Sequence, residues 1–183
     1  MTTKRKSGLI IVYTGDGKGK TSAALGAAVR ASGYGWKIYI LQFMKGSWHC
    51  GEIDGIKKLA PPHGGVVMEQ IGKGFYKIID DNLPEEEHKK TARHALNRAR
   101  QMMHSGEYQL VILDEINFAI DLGLLPLEDV IKLLQEKPSR LHVILTGRNA
   151  KPEIIEMADL VTEMKEIKHP FQQGYKGKKG IDF

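Results

Sequence analysis

The run Thr14-Gly15-Asp16-Gly17-Lys18-Gly19-Lys20-Thr21 has the composition of a loop that grips a polyphosphate. Glycines let the backbone bend until successive N–H groups point inward, a lysine adds positive charge, and the Thr21 hydroxyl can reach a bound Mg²⁺. On this reading Gly15, Asp16, Gly17, Lys18, Gly19, Lys20, Thr21 and Ser22 contact a nucleotide. The pattern departs from the usual signature at one position: Thr14 stands where a glycine is expected, and Gly15, Gly17 and Gly19 alternate instead.

A second group is Leu110-Val111-Ile112-Leu113-Asp114-Glu115, an apolar run that ends in two carboxylates. In a phosphate-loop fold this position comes up beside the loop, where Asp114 or Glu115 can hold the metal directly or through water. The plainer alternative is a strand end leading into a capped helix. Thr146-Gly147-Arg148 closes another apolar run at the same edge, and Arg148 suits a phosphate, a ribose or an anionic second substrate. Phe75 and Tyr76 follow Gly72-Lys73-Gly74, where aromatic rings either pack on the core or cover a large flat ligand.

Other chemistries lack their residues. The seven histidines show no metal-ligand spacing, Cys50 is the single cysteine, and neither a serine elbow nor a Cys/His pair is present. The nucleophile, if there is one, need not be a protein side chain.

The elements that must position these groups alternate. Apolar runs at 9–13, 37–43, 66–71, 110–113, 142–146 and 160–164 read as buried parallel strands. The segment after the phosphate loop is rich in alanine (Ala23, Ala24, Ala27, Ala28, Ala31) and reads as a helix that packs closely on the sheet and ends at Gly33 and Gly35. Residues 84–105 carry Ala92, Ala95, Leu96, Ala99, Met102 and Met103 on one helical face, with Glu85, Glu86 and Glu87 in the first turn. Further helices are expected from Pro126 to before Pro138 and over 152–158, whereas 45–65 and 72–83 read as long irregular loops of the kind that bind substrates. The pattern predicts one α/β domain spanning 1–183, a three-layer P-loop NTPase-like (RecA-like) fold with a mostly parallel central sheet.

Composition bounds the setting. A chain of 183 residues buries a real core without disulfides, and no stretch is long enough to cross a membrane. Met1 to Lys6 is basic, but only a short apolar run follows it, so export is not expected and a cytoplasmic protein is. The formal charge of +5 lies partly in Lys4-Arg5-Lys6 and in Lys176, Lys178 and Lys179, and charge alone does not assign a partner.

Taken together, the chain resembles the ATP:corrinoid adenosyltransferases, which adenosylate cob(I)alamin and cob(I)yrinic acid a,c-diamide. The matching segments are Tyr13 to Thr21, Gln42-Phe43-Met44-Lys45-Gly46, Leu113-Asp114-Glu115, Thr146-Gly147-Arg148, Ala158 to Met164, Lys168-His169-Pro170-Phe171 and Gly180-Ile181-Asp182-Phe183, in order across nearly the whole chain. The resemblance implies that the Co(I) of a reduced corrinoid attacks the 5′-carbon of ATP and expels intact triphosphate. The loop then grips the triphosphate as a leaving group, with the nucleotide reversed relative to ordinary phosphate-loop enzymes. It further implies that Lys20 stabilises charge on the departing group and that Thr21 with Asp114 or Glu115 holds Mg²⁺ or Mn²⁺. Phe75 is assigned the task of displacing an axial cobalt ligand so that Co(II) can be reduced. A homodimer and a flavoprotein or other reductant are the implied partners; neither nucleic acid nor membrane is.

Two features depart from some relatives: Lys77 replaces a tryptophan near the cobalt-facing phenylalanine, and a longer amino-terminal helix is not seen before the first strand. A thymidine-kinase-type phosphotransferase is the nearest rival, but those enzymes usually carry a zinc-binding cysteine set. An ATP-dependent nucleic-acid-binding module is the other, and it requires steeply salt-dependent binding.

Overall fold

Successive strand residues point to opposite sides of a sheet, and in this chain both sides are apolar, so helices must cover both. The computed structural model describes residues 8–46, 49–59, 65–74, 76 and 81–182. In chain order its elements are β1 (Ile10–Thr14), α1 (Lys20–Ser32), β2 (Ile38–Gln42), α2 (Gly51–Leu59), β3 (Val66–Gln70) and α3 (Glu85–His104). They continue with β4 (Leu110–Asp114), α4 (Ile116–Asp121), α5 (Leu127–Gln135), β5 (His142–Thr146), α6 (Pro152–Met157) and β6 (Leu160–Glu163).

The strands form one sheet in the order β3-β2-β4-β5-β1-β6, and every neighbouring pair is parallel. On one face Val12, Tyr39, Leu41, Val111, Leu113, Val143 and Leu145 pack with residues of α3, α4, α5 and α6. On the other face Ile38, Ile40, Ile112 and Ile144 pack with Ala24 and Ala28 of α1 and Ile56 of α2. Ala24 and Ala28 are fully buried, and their small side chains bring α1 close to the sheet. Each fully buried Leu or Ile stabilises by about 1.5–3 kcal/mol relative to exposure, so the central strands carry much of the fold's stability.

Because the strands are parallel, all six end at one edge. Their last residues are Thr14, Gln42, Gln70, Asp114, Thr146 and Glu163, a polar row after apolar strands. In open α/β sheets this carboxyl edge is where ligands bind.

Two expectations need correction, and one helix is added. The stretch 45–65 is not wholly irregular, since it contains α2; its Gly51 and Gly55 mask a helix that carries Glu52 and Asp54 in its first turn and Lys57 and Lys58 in its last. A second short helix, α4, follows β4 directly. The last strand is not buried: β6 pairs only with β1, at the sheet's edge, and Leu160 and Val161 are 44% and 39% exposed. The helices at 85–104, 127–135 and 152–157 lie within a residue or two of expectation.

Candidate functional site

The phosphate-loop residues form the turn between β1 and α1. Gly19 precedes the helix with a left-handed backbone, φ 108°, and no side chain caps the first turn of α1, so its amide donors remain directed at the turn's concavity. The alternating glycines have a packing cause. A Cβ on Gly15 would lie 2.5 Å from the Met164 carbonyl oxygen, and one on Gly17 would lie 2.8 Å from the Lys165 backbone. Gly17 N–H also donates to Met164 O at 2.7 Å, so the chain leaving β6 backs directly onto the loop.

Lys20 is buried, and its Nζ donates to the carbonyls of Gly15 at 2.7 Å and Gly17 at 2.8 Å. Burial lowers its pKa, against the opposing pull of Glu115. The lysine thus stiffens the turn from within while placing a cation beneath the amides.

Thr21 connects the loop to the acidic strand. Its Oγ1 donates to Asp114 Oδ1 at 2.8 Å, Thr146 Oγ1 donates to the same oxygen at 2.7 Å, and Gln42 Nε2 donates to Asp114 Oδ2 at 2.9 Å. Gln70 Nε2 in turn donates to Gln42 Oε1 at 2.7 Å. The ends of β3, β2, β4 and β5 and the start of α1 are therefore joined by one hydrogen-bonded chain. Asp114 is 1% exposed, so it lies beneath the site and reaches it through Thr21.

Glu115 takes the exposed side of the pair. Its backbone is left-handed, φ 65°, and its N–H donates to Thr146 Oγ1 at 2.9 Å, which turns the side chain towards the cleft. Burial and the neighbouring Asp114 push its pKa up to about 7, more than Lys20, Lys45 and Arg148 pull it down.

A cleft of about 800 Å³ opens above these groups. Asp16, Lys18, Lys20, Thr21, Ser22, Glu115 and Arg148 line it on the loop side, and Met44, Lys45, Glu52 and Tyr76 line the opposite wall. Lys45 is ion-paired with Glu52. Burial is the largest single effect and opposes both charges, but hydrogen bonds and neighbouring charges together outweigh it, raising the lysine's pKa and lowering the glutamate's. Tyr76 is packed in the core, and its hydroxyl donates to Glu85 Oε2 at 2.6 Å.

The structure thus brings the loop residues, Thr21, Asp114, Glu115 and Arg148 together at one edge of the sheet. Phe75 and Lys77 lie outside the described residues, although Tyr76 next to Phe75 reaches the cleft wall. Sequence reasoning did not single out Gln42, Glu52, Thr146 and Asp182 as site residues. A glutamine closing an all-apolar strand was a signal for Gln42; Glu52 was hidden in a stretch read as loop.

A profile of the family described as "ATP:corrinoid adenosyltransferase BtuR/CobO/CobP" matches residues 6–183. The corrinoid adenosyltransferase of Escherichia coli K12 is 40% identical over 176 residues, with 96% of this chain and 86% of that protein covered. A Sinorhizobium corrinoid adenosyltransferase is 40% identical over 187 residues, covering 100% of this chain and 84% of its own length. Corrinoid adenosyltransferase CobA of Salmonella typhimurium LT2 is 36% identical over 180 residues, at 98% and 88% coverage. Among solved structures, the assembled ATPase EscN of the enteropathogenic E. coli type III secretion system matches with a TM-score of 0.50 at 17% identity, covering 86% of this chain and 42% of that one. The flagellar accessory protein FlaH of Methanocaldococcus jannaschii matches with a TM-score of 0.50 at 12% identity, covering 86% and 71%. Those two likenesses show the fold alone, and it is the expected α/β P-loop fold.

Proposed function

This chain belongs to the ATP:corrinoid adenosyltransferase family, and from that premise we propose that its cleft transfers the 5′-deoxyadenosyl group of ATP to the Co(I) centre of a reduced corrinoid. The family's activity, ATP-dependent adenosyl transfer to corrinoids, makes the chain a transferase. One observation carries the detailed reading: the phosphate loop and the wall formed by Met44, Lys45, Glu52 and Tyr76 share a single cleft of about 800 Å³, so a nucleotide and a second large substrate can meet there.

In the proposed reaction the cobalt electron pair forms a bond to the 5′-carbon as the bond from that carbon to the triphosphate oxygen breaks. Triphosphate leaves with the bonding electrons. The loop amides of residues 15–22, Lys20 and Arg148 face the growing negative charge, and such preorganised donors commonly supply the largest share of catalysis. No residue has to act as nucleophile.

The oxygen donors of Thr21 and Glu115, with Asp114 beneath them, fit a hard divalent cation, Mg²⁺ or Mn²⁺. Among the described residues no group of three His, Cys, Asp or Glu side chains can hold a metal unaided, so phosphate oxygens and water would complete the shell. When bound, the ion supplies charge neutralisation on the phosphates. We assign Phe75 to the cobalt face, where an apolar ring removes the axial ligand that hinders reduction of Co(II). The chain is read as one domain working as a cytoplasmic homodimer with a flavoprotein or other reductant; no described helix is long and apolar enough to cross a membrane.

The test is anaerobic incubation with ATP, Mg²⁺ or Mn²⁺ and chemically reduced corrinoid. The expected result is a light-sensitive alkylcobalt spectrum with one free triphosphate per product. Release of ADP or orthophosphate in its place would overturn the reading. Phe75→Ala should slow the reaction mainly when it starts from Co(II) with a reductant; equal loss from both cobalt states would remove the role given to Phe75.

A further inference from the structure

Gly180, Ile181 and Asp182 have no task in the reaction above, yet they line the same cleft as the phosphate loop. The Asp182 carboxylate is ion-paired with Lys18, the loop's outer lysine. Its Oδ2 also accepts the Lys178 N–H at 2.6 Å, while the Asp182 N–H donates back to Lys178 O at 2.8 Å. A closed turn therefore holds the carboxylate from behind and Lys18 holds it in front. Little apolar burial anchors this segment, because Ile181 is 80% exposed.

Lys18 lies in the loop that, on the reading above, holds the triphosphate, and this inference rests on that reading. A carboxylate and a phosphate oxygen seek the same ammonium, and a polyphosphate arriving beside Asp182 meets a like charge. We propose that Asp182 is a positioning residue of the nucleotide site that competes with the polyphosphate for Lys18 and thereby hastens departure of the spent triphosphate.

The physical need is plain. A loop that stabilises the leaving group before bond cleavage grips the same group afterwards, and product release limits many enzymes. A tethered carboxylate acts at high effective concentration, so it can retake one cation as the product loosens. The contact is also suited to exchange: the side chains of Lys18 and Asp182 are 48% and 22% exposed, and partly solvated ion pairs are weak.

The experiment is calorimetric titration of the full chain with inorganic triphosphate and Mg²⁺, without corrinoid, for the parent, Asp182→Asn, Asp182→Glu, Lys18→Ala and the double variant Lys18→Ala/Asp182→Asn. Asp182→Asn is expected to tighten triphosphate binding about 3- to 10-fold, a range set by the modest strength of exposed ion pairs. Asp182→Glu should restore the parent value, and Asp182→Asn should have no effect once Lys18 is alanine. A general loss of structure would weaken binding instead, so the direction separates competition from a packing role, and a thermal melt checks the fold. Measurable but equal, or weaker, binding by Asp182→Asn overturns the competition alone. Absence of triphosphate binding in the parent overturns the phosphate-loop reading, and this inference with it.

Discussion

Thr21 Oγ1, at the start of α1, donates a 2.8 Å hydrogen bond to Asp114 Oδ1 at the end of β4, although β5 lies between β4 and β1, the strand that leads into the loop. Thr146, at the end of the intervening strand, donates to the same oxygen and fills the gap. The proposed metal position is therefore built from two strand ends and a helix start rather than from one motif.

Asp114→Asn places an amide where three donors converge, and at least one of them then faces another donor. The expected cost is about 1–3 kcal/mol of stability, as for other buried groups deprived of a partner. Turnover should fall by roughly a hundredfold, the scale of losing a preorganised electrostatic element. Urea unfolding and steady-state rates measure the two effects separately. Unchanged turnover would mean that Asp114 is purely architectural.

Lys20→Ala removes the ammonium that bridges the Gly15 and Gly17 carbonyls. Turnover should fall by about 10²–10³-fold with a near-normal melting temperature, because both carbonyls can turn to water. A triphosphate-release assay alongside circular dichroism decides it.

Glu115 makes stability depend on pH. Its folded-state pKa is about 7 against an ordinary 4.5, so between those values the folded chain holds a proton that the unfolded chain releases. Stability from this residue is intact below the lower value and is lost as pH rises through the upper one. In chelator, without nucleotide, Glu115→Gln should flatten that decline. Denaturation midpoints taken below and above the window provide the check, and an undiminished slope would mean that another group is responsible.

Gly46 fixes the wall opposite the loop. A Cβ there would meet the Gly74 backbone nitrogen at 2.5 Å, so Gly46→Ala must push the segment carrying Met44 and Lys45 away from the one that leads to Tyr76. Misplacement of this order costs up to about a hundredfold in rate. The Michaelis constant for corrinoid should rise while that for ATP stays near the parent value; equal effects on both substrates would point to general destabilisation.

Gln42 orders the polar row. Gln42→Leu matches it roughly in size but leaves Asp114 Oδ2 and the Gln70 amide without their partner, which should cost about 1–3 kcal/mol by denaturation. A variant as stable as the parent would show that water replaces the glutamine without loss.

Much of this was legible in the chain itself. The glycine-lysine loop between an apolar run and an alanine-rich helix, the Asp114-Glu115 pair and the Thr146-Gly147-Arg148 turn are local patterns, and local patterns carry their chemistry in residue type and spacing. They determined the P-loop fold class and the end of the cleft proposed to hold the nucleotide. Helix ends near Pro84, Pro126 and Pro152 were readable for the same reason, since proline sets its own backbone angle.

What the tertiary structure alone decided is non-local. Nothing near Gly15 and Gly17 reveals that residues 164 and 165 press against them, which is why glycine alternates there. Gln42 gains its place only once β2 and β4 pair, because their register sets it opposite Asp114. Asp182 reaches Lys18 only because the chain after β6 returns to the loop. Strand order and return paths follow from burying both faces of the sheet at once, a requirement of the whole chain that no window of sequence contains.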